Sequence, residues 1–328
     1  MTVQNSERSY LGIAKEATKG TAVAPTDFFP VAIGKLKPED HIESLFDTGT
    51  RGSMVESYGR QAGVGHSTFD FGGAVFADAI GYVLGGILGE VDTTGASAPY
   101  THVISLKNSG VAAADAQPGA FTITDFYAAA VKKYAGCQIH ELTLNFNSDG
   151  LLEYDAKATG WLSESASTPA PTFSSVIPTP VWQGTVSIGG GLIANAISGS
   201  LTLSRAVKVV YGIGDTQNPY AVFLGALKVS GKFTFVMEDN TEMVRYLTDT
   251  QPAIVLDWSN GAGASATQIA MTMTKGAYTA ATIERGNEQV EISVTVDAQA
   301  NVTDATGATG YSPIQATLQN AKVSGTYQ

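Results

Sequence analysis

Short runs in which apolar and polar residues alternate recur along the whole chain, and this period of two restricts it to half-buried strands with one packed face and one polar face. Leu142, Leu144 and Phe146 alternate with Thr143 and Asn145. Val290, Ile292, Val294 and Val296 alternate with Glu291, Ser293, Thr295 and Asp297. Glycine, 36 of 328 residues, punctuates the runs, and Asp149-Gly150 between Phe146 and Leu151 is a hairpin-turn signal. The pattern predicts a mainly β protein.

Only two segments carry helical spacing. From Ala74 to Leu88, Phe76, Ile80, Leu84 and Ile87 recur near the helical period, and the segment is apolar or glycine nearly all round, which predicts protein on both of its sides. Gly81, Gly85 and Gly89 form a row of small residues on it, suited to close packing on a sheet or on a neighbouring subunit. The second helix is predicted from about Asn240 to Thr250. Asp239 is its expected N-cap, Glu242 stands at the matching third position, and Met243, Val244 and Leu247 are expected to point inward.

The order of signals repeats. Ile33-Gly34, a strand through Asp40 to Thr48, a glycine-rich crossing, Phe69-Asp70-Phe71, a helix and four strands closing at Leu151 to Thr159 make up the first half. Ile188-Gly189, a strand through Ala196 to Leu203, a second glycine-rich crossing, Phe233-Thr234-Phe235, a helix and strands closing at Gln289 to Gln299 make up the second. Ser163 to Pro180, with Pro169, Pro171, Pro178 and Pro180 among serines and threonines, has linker composition. The expected organisation is an N-terminal arm (1–27), a first module (28–162), a linker (163–180) and a second module (181–328).

Charge and motifs exclude several classes. The 30 acidic against 19 basic residues, a net charge of −11, oppose any grip on nucleic acid through a phosphate-neutralising patch. The single cysteine, Cys137, cannot form an internal disulfide and reads as a buried thiol. Met1 to Tyr10 lacks a secretory pattern and no apolar run approaches a membrane helix, which predicts a protein made and kept in the cytoplasm until it is assembled. His41, His66, His102 and His140 fall at no metal-ligand spacing, and no nucleophile elbow, phosphate loop or zinc-protease motif occurs, so no cofactor, metal or catalytic residue is expected. Glu141, Glu153 and Asp155 in one half and Glu284, Glu291 and Asp297 in the other recur on the polar faces of the closing strands. They form either a solvated face or a shared acidic surface.

The stretch Tyr10-Leu-Gly-Ile-Ala-Lys-Glu16-Ala-Thr-Lys-Gly20-Thr-Ala-Val-Ala-Pro25 with Phe28-Phe29-Pro30-Val31 resembles the N-terminal signature of the tail tube proteins, or major tail proteins, of long flexible-tailed bacteriophages. The segments Ile197 to Arg205, Gly212 to Tyr220, Val229 to Phe235 and Gly310 to Tyr327 are similar to the same family, so the resemblance spans nearly the whole chain. It implies tandem β-sandwich modules, each with one flanking helix. Their inner sheets close into a β-barrel ring on oligomerisation, and the rings stack into a tube that conducts DNA.

On that reading the partners are other copies of the chain, in a ring of three with pseudo-sixfold symmetry or else of six. Tape measure, tail terminator and distal tail proteins are the others, with double-stranded DNA only in transit and no membrane. The location is the virion tail, reached from the host cytoplasm. Glu141, Glu153, Asp155, Glu284, Glu291 and Asp297 become candidates for an acidic lumen that repels the DNA backbone. The polar segment Thr48 to Gly65, with Arg51, Glu56 and Arg60, becomes an inter-ring loop, with Asp215, Asn218 and Tyr220 in the equivalent place; Gly81, Gly85 and Gly89 become candidates for inter-subunit helix packing.

The alternative is a carbohydrate-binding or adhesive β-sandwich of a virion or cell surface, using Trp161, Trp182 and Trp258 as stacking platforms. A hydrolase built on Glu153 and Asp155 lacks a visible partner group, and an outer-membrane barrel lacks a secretion signal.

Overall fold

The computed structural model describes residues 5–108, 116–127, 129–214, 216–261, 263–286, 288–306 and 310–327. The chain begins with β1 (Tyr10–Lys15) and β2 (Asp27–Phe29), then a long hairpin, β3 (Lys37–Asp47) and β4 (Gly59–Ala74). Helix α1 (Ile80–Leu88) and a shorter hairpin, β5 (Gly89–Thr94) and β6 (Tyr100–Leu106), follow. Next come β7 (Phe121–Phe126), β8 (Val131–Asn147), β9 (Glu153–Gly160) and β10 (Glu164–Ser165). The second half opens with β11 (Gly184–Ile188) and β12 (Gly191–Ile193), then its own long hairpin, β13 (Ala196–Val210) and β14 (Ala221–Val236), and α2 (Thr241–Leu247). It closes with β15 (Ile254–Asn260), β16 (Thr267–Met273), β17 (Gly276–Glu284), β18 (Glu291–Ala298) and β19 (Gln315–Asn320).

Two antiparallel sheets result, as the alternation predicts. In the first, the strands run β3-β4-β9-β8-β13-β14-β18-β17 without a break, while β7, β1 and β2 extend from the N-terminal part of β8. In the second, the order is β12-β11-β15-β16-β19-β6-β5. Both sheets pass through both halves of the sequence. The junction in the first is β8 against β13, with Leu144 opposite Leu201 and Leu142 opposite Leu203. In the second, β19 lies between β16 and β6.

The core lies between the sheets. Leu142, Leu144, Leu201, Leu203, Phe233, Phe235, Ile292 and Val294 project into it from the first sheet, and Trp258, Ile269, Met271 and Leu318 from the second. Trp258 packs its ring 5.4 Å from that of Phe146, and an added Cβ at Gly184 would lie 2.3 Å from it. Glycine is therefore what lets β11 cross the indole.

The hairpin at Asp149-Gly150 forms, closed by a hydrogen bond from the Gly150 amide to Asn147 O at 2.9 Å. Gly150 does not use a positive φ.

The first helix is shorter than its periodicity predicts. Ala74 ends β4 opposite Glu153, and the Val75 amide bonds Leu152 O, so the strand ladder claims these residues before a helix can start. All nine residues of α1 are buried, and Gly89, at φ 95°, ends it. The expected loop from Thr48 to Gly65 is also shorter. Gly59 to Gly65 already pairs with Ile42 to Asp47, and glycine there allows close approach, since an added Cβ at Gly65 would meet His41 O at 2.7 Å.

In α2 the cap is shifted by one residue. Asn240 occupies the N-cap position, while Asp239 Oδ1 accepts the Thr241 amide at 2.8 Å. The expectation that Val244 and Leu247 point inward is wrong. They are 47% and 71% exposed, and only Met243 of the three packs on the core. A helix of seven residues offers one narrow stripe to the core, and Met243 fills it.

Candidate assembly surfaces

The first surface is the polar face of the eight-strand run. Residues opposite one another in register share a face, and the pairings bring Glu141, Glu153, Asp155, Glu284, Glu291 and Asp297 together on the face away from the core. Three of the six are neutralised by lysines whose role the sequence did not reveal. Lys157 Nζ stands 2.7 Å from Glu141, Lys35 Nζ 2.6 Å from Asp155 and Lys228 Nζ 3.7 Å from Asp297. The hydrogen bonds to Glu141 and Asp155 raise the pKa values of Lys157 and Lys35. Asn145 donates to the second oxygen of Asp155 at 3.1 Å. Between the acidic rows lie hydroxyl pairs, Thr143 with Thr202 at 3.0 Å and Thr234 with Ser293 at 3.4 Å.

The second surface is the pair of open edges, β3 at one end of the run and β17 at the other. The strands between them fall into two sets of the same order, β3-β4-β9-β8 and β13-β14-β18-β17. Two irregularities fall at matching places in the two sets, while a further shift between Ala196 and Ser198 has no counterpart in the first long hairpin. Pairing jumps from Ile42↔Gly65 to Ser44↔Ala62 in the first long hairpin and from Arg205↔Leu227 to Val207↔Leu224 in the second. It jumps from Ile139↔Ala158 to Glu141↔Lys157 in the first closing pair and from Tyr278↔Val296 to Ala280↔Thr295 in the second. These bulges align Phe71, rather than Phe69, with Phe233.

The third surface is formed by the hairpin ends. Arg51 pairs with Asp47 and lies 4.6 Å over the Tyr58 ring, while Arg60 Nε donates to Ser44 Oγ at 2.8 Å. Glu56 is exposed. The second hairpin end folds back on the first half. The Gly65 amide donates to Gln217 O at 2.9 Å, Tyr211 OH meets His66 Nδ1 at 2.9 Å, and Asn218 Oδ1 accepts the Leu162 amide at 3.0 Å. Asn218 is thus turned inward, Tyr220 is 79% exposed, and Asp215 lies outside the described residues.

In the small-residue row on α1, the candidate for inter-subunit packing, Gly81 and Gly85 face Tyr327 of the same chain. Cβ atoms at Gly81 and Gly85 would lie 2.5 Å and 2.6 Å from atoms of Tyr327, which fills the groove, and Gly89 is the left-handed cap. The Tyr327 hydroxyl donates to Asp78 O at 2.7 Å and accepts from Asn320 Nδ2 at 3.1 Å. No alternating or helical signal announces that role.

Trp182, exposed, and Trp258, buried, line one cleft with Phe146 and Leu192, while Trp161 packs apart from them on Gly20 and Gly136. Cys137 is wholly buried, and burial raises its pKa. Among the described residues no group of three or more His, Cys, Asp or Glu side chains could hold a metal ion. No helix among them is long and apolar enough to cross a membrane.

A β-rich chain with a long two-faced sheet open at both edges is a building block for edge-to-edge assembly. The family model of phage tail tube proteins matches residues 6–327, and the chain belongs to that family. It is a structural component of a phage tail and not an enzyme. No curated protein matches it.

Proposed function

We propose that three copies of this chain close into a ring with pseudo-sixfold symmetry, that the eight-strand runs join into one barrel, and that the polar face lines the lumen. The observation that carries this is the β8·β13 junction, where one four-stranded set meets the next edge to edge in an antiparallel ladder. β17 and β3 hold the positions of β8 and β13 in the other copy of the set, and both are open. A junction that repeats head to tail forms a ring if its rotation closes, and closure removes the exposed edges. The strand order and the paired bulges support reading the halves as tandem tail-tube modules, 28–162 and 181–328, joined by 163–180.

The lumen would carry a mild negative charge. Glu153, Glu284 and Glu291 add to it, while the lysines beside Glu141, Asp155 and Asp297 moderate it. Such a wall lets the DNA backbone slide without adhering. The exposed hairpin ends with Arg51, Glu56, Arg60 and Tyr220 would meet the adjacent ring. The tape measure protein would occupy the lumen during assembly, and the tail terminator and distal tail proteins would meet the end rings.

Negative-stain electron microscopy of the purified protein at rising concentration tests the reading. Rings or tubes with a central hole and threefold modulation of a sixfold outline are expected. Compact monomers at every concentration, even when seeded with a tail initiator complex, would overturn it. Arg51→Glu and Arg60→Glu should give rings that fail to stack, and normal tubes from both would remove the stacking role of the loop.

A further inference from the structure

Helix α2 leaves an apolar side uncovered, with Val244 47%, Tyr246 37% and Leu247 71% exposed. Its counterpart α1 has no such side, and part of the reason is the β8·β13 junction. Arg205 of β13, the first strand of the second set, reaches across to the helix of the first set and donates to Ile87 O at 3.0 Å. Arg205 is itself 7% exposed. The helix of one set is therefore capped by the first strand of the set that follows it.

The equivalent residues at the open end are identifiable. Ile42 stands where Arg205 does, each being the last paired residue before the matching bulge of its hairpin. Leu247 lies in the last turn of α2 as Ile87 does in that of α1, each two residues before a left-handed residue, Gly89 at the cap of α1 and Asp249 one residue past the cap of α2. Ile42 is 43% exposed and Leu247 71%, so the polar reach of Arg205 is replaced by a pair of exposed apolar residues. Carrying the β8·β13 register to the open edges places Lys37 opposite Glu284, as Ser200 stands opposite Asn145. Both are exposed, on the polar face, and opposite in charge.

We infer that β17 and the uncovered side of α2 form the seat for β3 of a second copy, entered in the register of β8·β13, with Ile42 covering Leu247 and Val244 and Lys37 paired with Glu284. This rests on the ring reading above and fixes its contact. The ladder has one fewer donor than β8·β13 because Pro38 stands where Leu201 does, a residue tolerated on an edge strand. The charge pair sets register, and the apolar pair excludes water from the end of the helix.

The test is a disulfide across the joint. Directly opposed residues of an antiparallel pair lie within disulfide reach, whereas residues one pair out of register on the same face do not. The protein carrying Lys37→Cys and Glu284→Cys, assembled and mildly oxidised, should run on a non-reducing gel as a covalent ladder. The ladder should be absent from protein carrying Glu39→Cys and Glu284→Cys. Cys137 is wholly buried and does not compete.

A ladder ending at three chains upholds both the joint and the trimer. A ladder ending at six upholds the joint and overturns the trimer. Rings by microscopy without a ladder, or equal ladders from both variants, overturn the joint and leave the ring standing; a wild-type protein that forms no rings or tubes overturns both. As a second readout, Leu247→Asp should leave the exposed helix folded and raise the concentration needed for assembly about tenfold, and Ile42→Lys in the same chain should recover most of that. Unchanged assembly of Leu247→Asp overturns the helix contact.

Discussion

Replacing Tyr327 by alanine tests the main prediction about the chain's own stability, that its last residues are part of the core. The ring is 2% exposed, 5.2 Å from that of Tyr82 and 4.9 Å from that of His102. A buried aromatic side chain covers about 150–250 Å². At ~25 cal/mol per Å² that is roughly 4–6 kcal/mol, and partial collapse of the cavity brings the expected loss to about 3–5 kcal/mol. Tyr327→Phe keeps the ring and strands the carbonyl of Asp78, a loss of about 1–2 kcal/mol.

Gly81 supplies the decisive cross-check. A Cβ there would sit 2.5–2.7 Å from the Tyr327 ring atoms, and the ring has no room to retreat. Gly81→Ala should therefore cost about 1–3 kcal/mol in the wild type. In the Tyr327→Ala protein the same substitution should stabilise by about 0.5–1 kcal/mol, because alanine is the better helix former and the obstruction is gone. Urea denaturation of unassembled protein, followed by tryptophan fluorescence, gives the four free energies of the cycle. A coupling of about 2–3 kcal/mol is expected; additive effects, or a Tyr327→Phe loss as large as that of Tyr327→Ala, would refute the reasoning.

Other expectations follow from buried polar groups. Asp125 lies in the wall of β7 opposite Lys132, and desolvation pushes its carboxyl up to about 6. The folded state then holds the proton more tightly than the unfolded state, so stability falls as pH rises from about 4 to about 6 and the penalty persists above that. Asp125→Asn should flatten that part of the pH profile and add about 2 kcal/mol at pH 7; an unchanged profile in thermal melts would contradict it. Asp304, 1% exposed, accepts the Thr274 amide at 2.8 Å and Asn301 Nδ2 at 2.7 Å. Asp304→Ala leaves these donors buried and should cost about 2–4 kcal/mol in the same denaturation assay. Cys137 should resist a soluble thiol reagent in the native protein and react only on unfolding, since burial both shields it and disfavours its thiolate. Rapid native labelling would show that the core around it opens.

The alternating pattern was sufficient to read the strands of the first sheet's centre, because each of them has one face on the core and one in water. Thus Leu142 to Phe146 and Ile292 to Val296 declare their burial in the order of residues. Strands without that asymmetry were hidden. Gly59 to Gly65 reads as a loop, because its glycines report no face, and β1, buried over four successive residues, shows no alternation. Helical spacing does not give the direction of α2 for a related reason, since Val244 and Leu247 satisfy it but the short helix has only one side on the core.

Spacing alone puts the candidate acidic residues on the polar faces of their strands, whereas it does not reveal all of their lysine partners. Lys35 is 120 residues from Asp155 and Lys228 is 69 from Asp297, separations that no local pattern encodes. Sequence by itself determined the mainly β class, the two helices and, through short motifs, the family. Tertiary structure decided that β8 joins β13, that β19 threads between the halves, that Tyr327 fills the glycine row of α1, and which two edges stay open. The physical reason is that periodicity records which side of a segment is dry, while the identity of what lies on that side is set by closing chain segments tens to hundreds of residues apart.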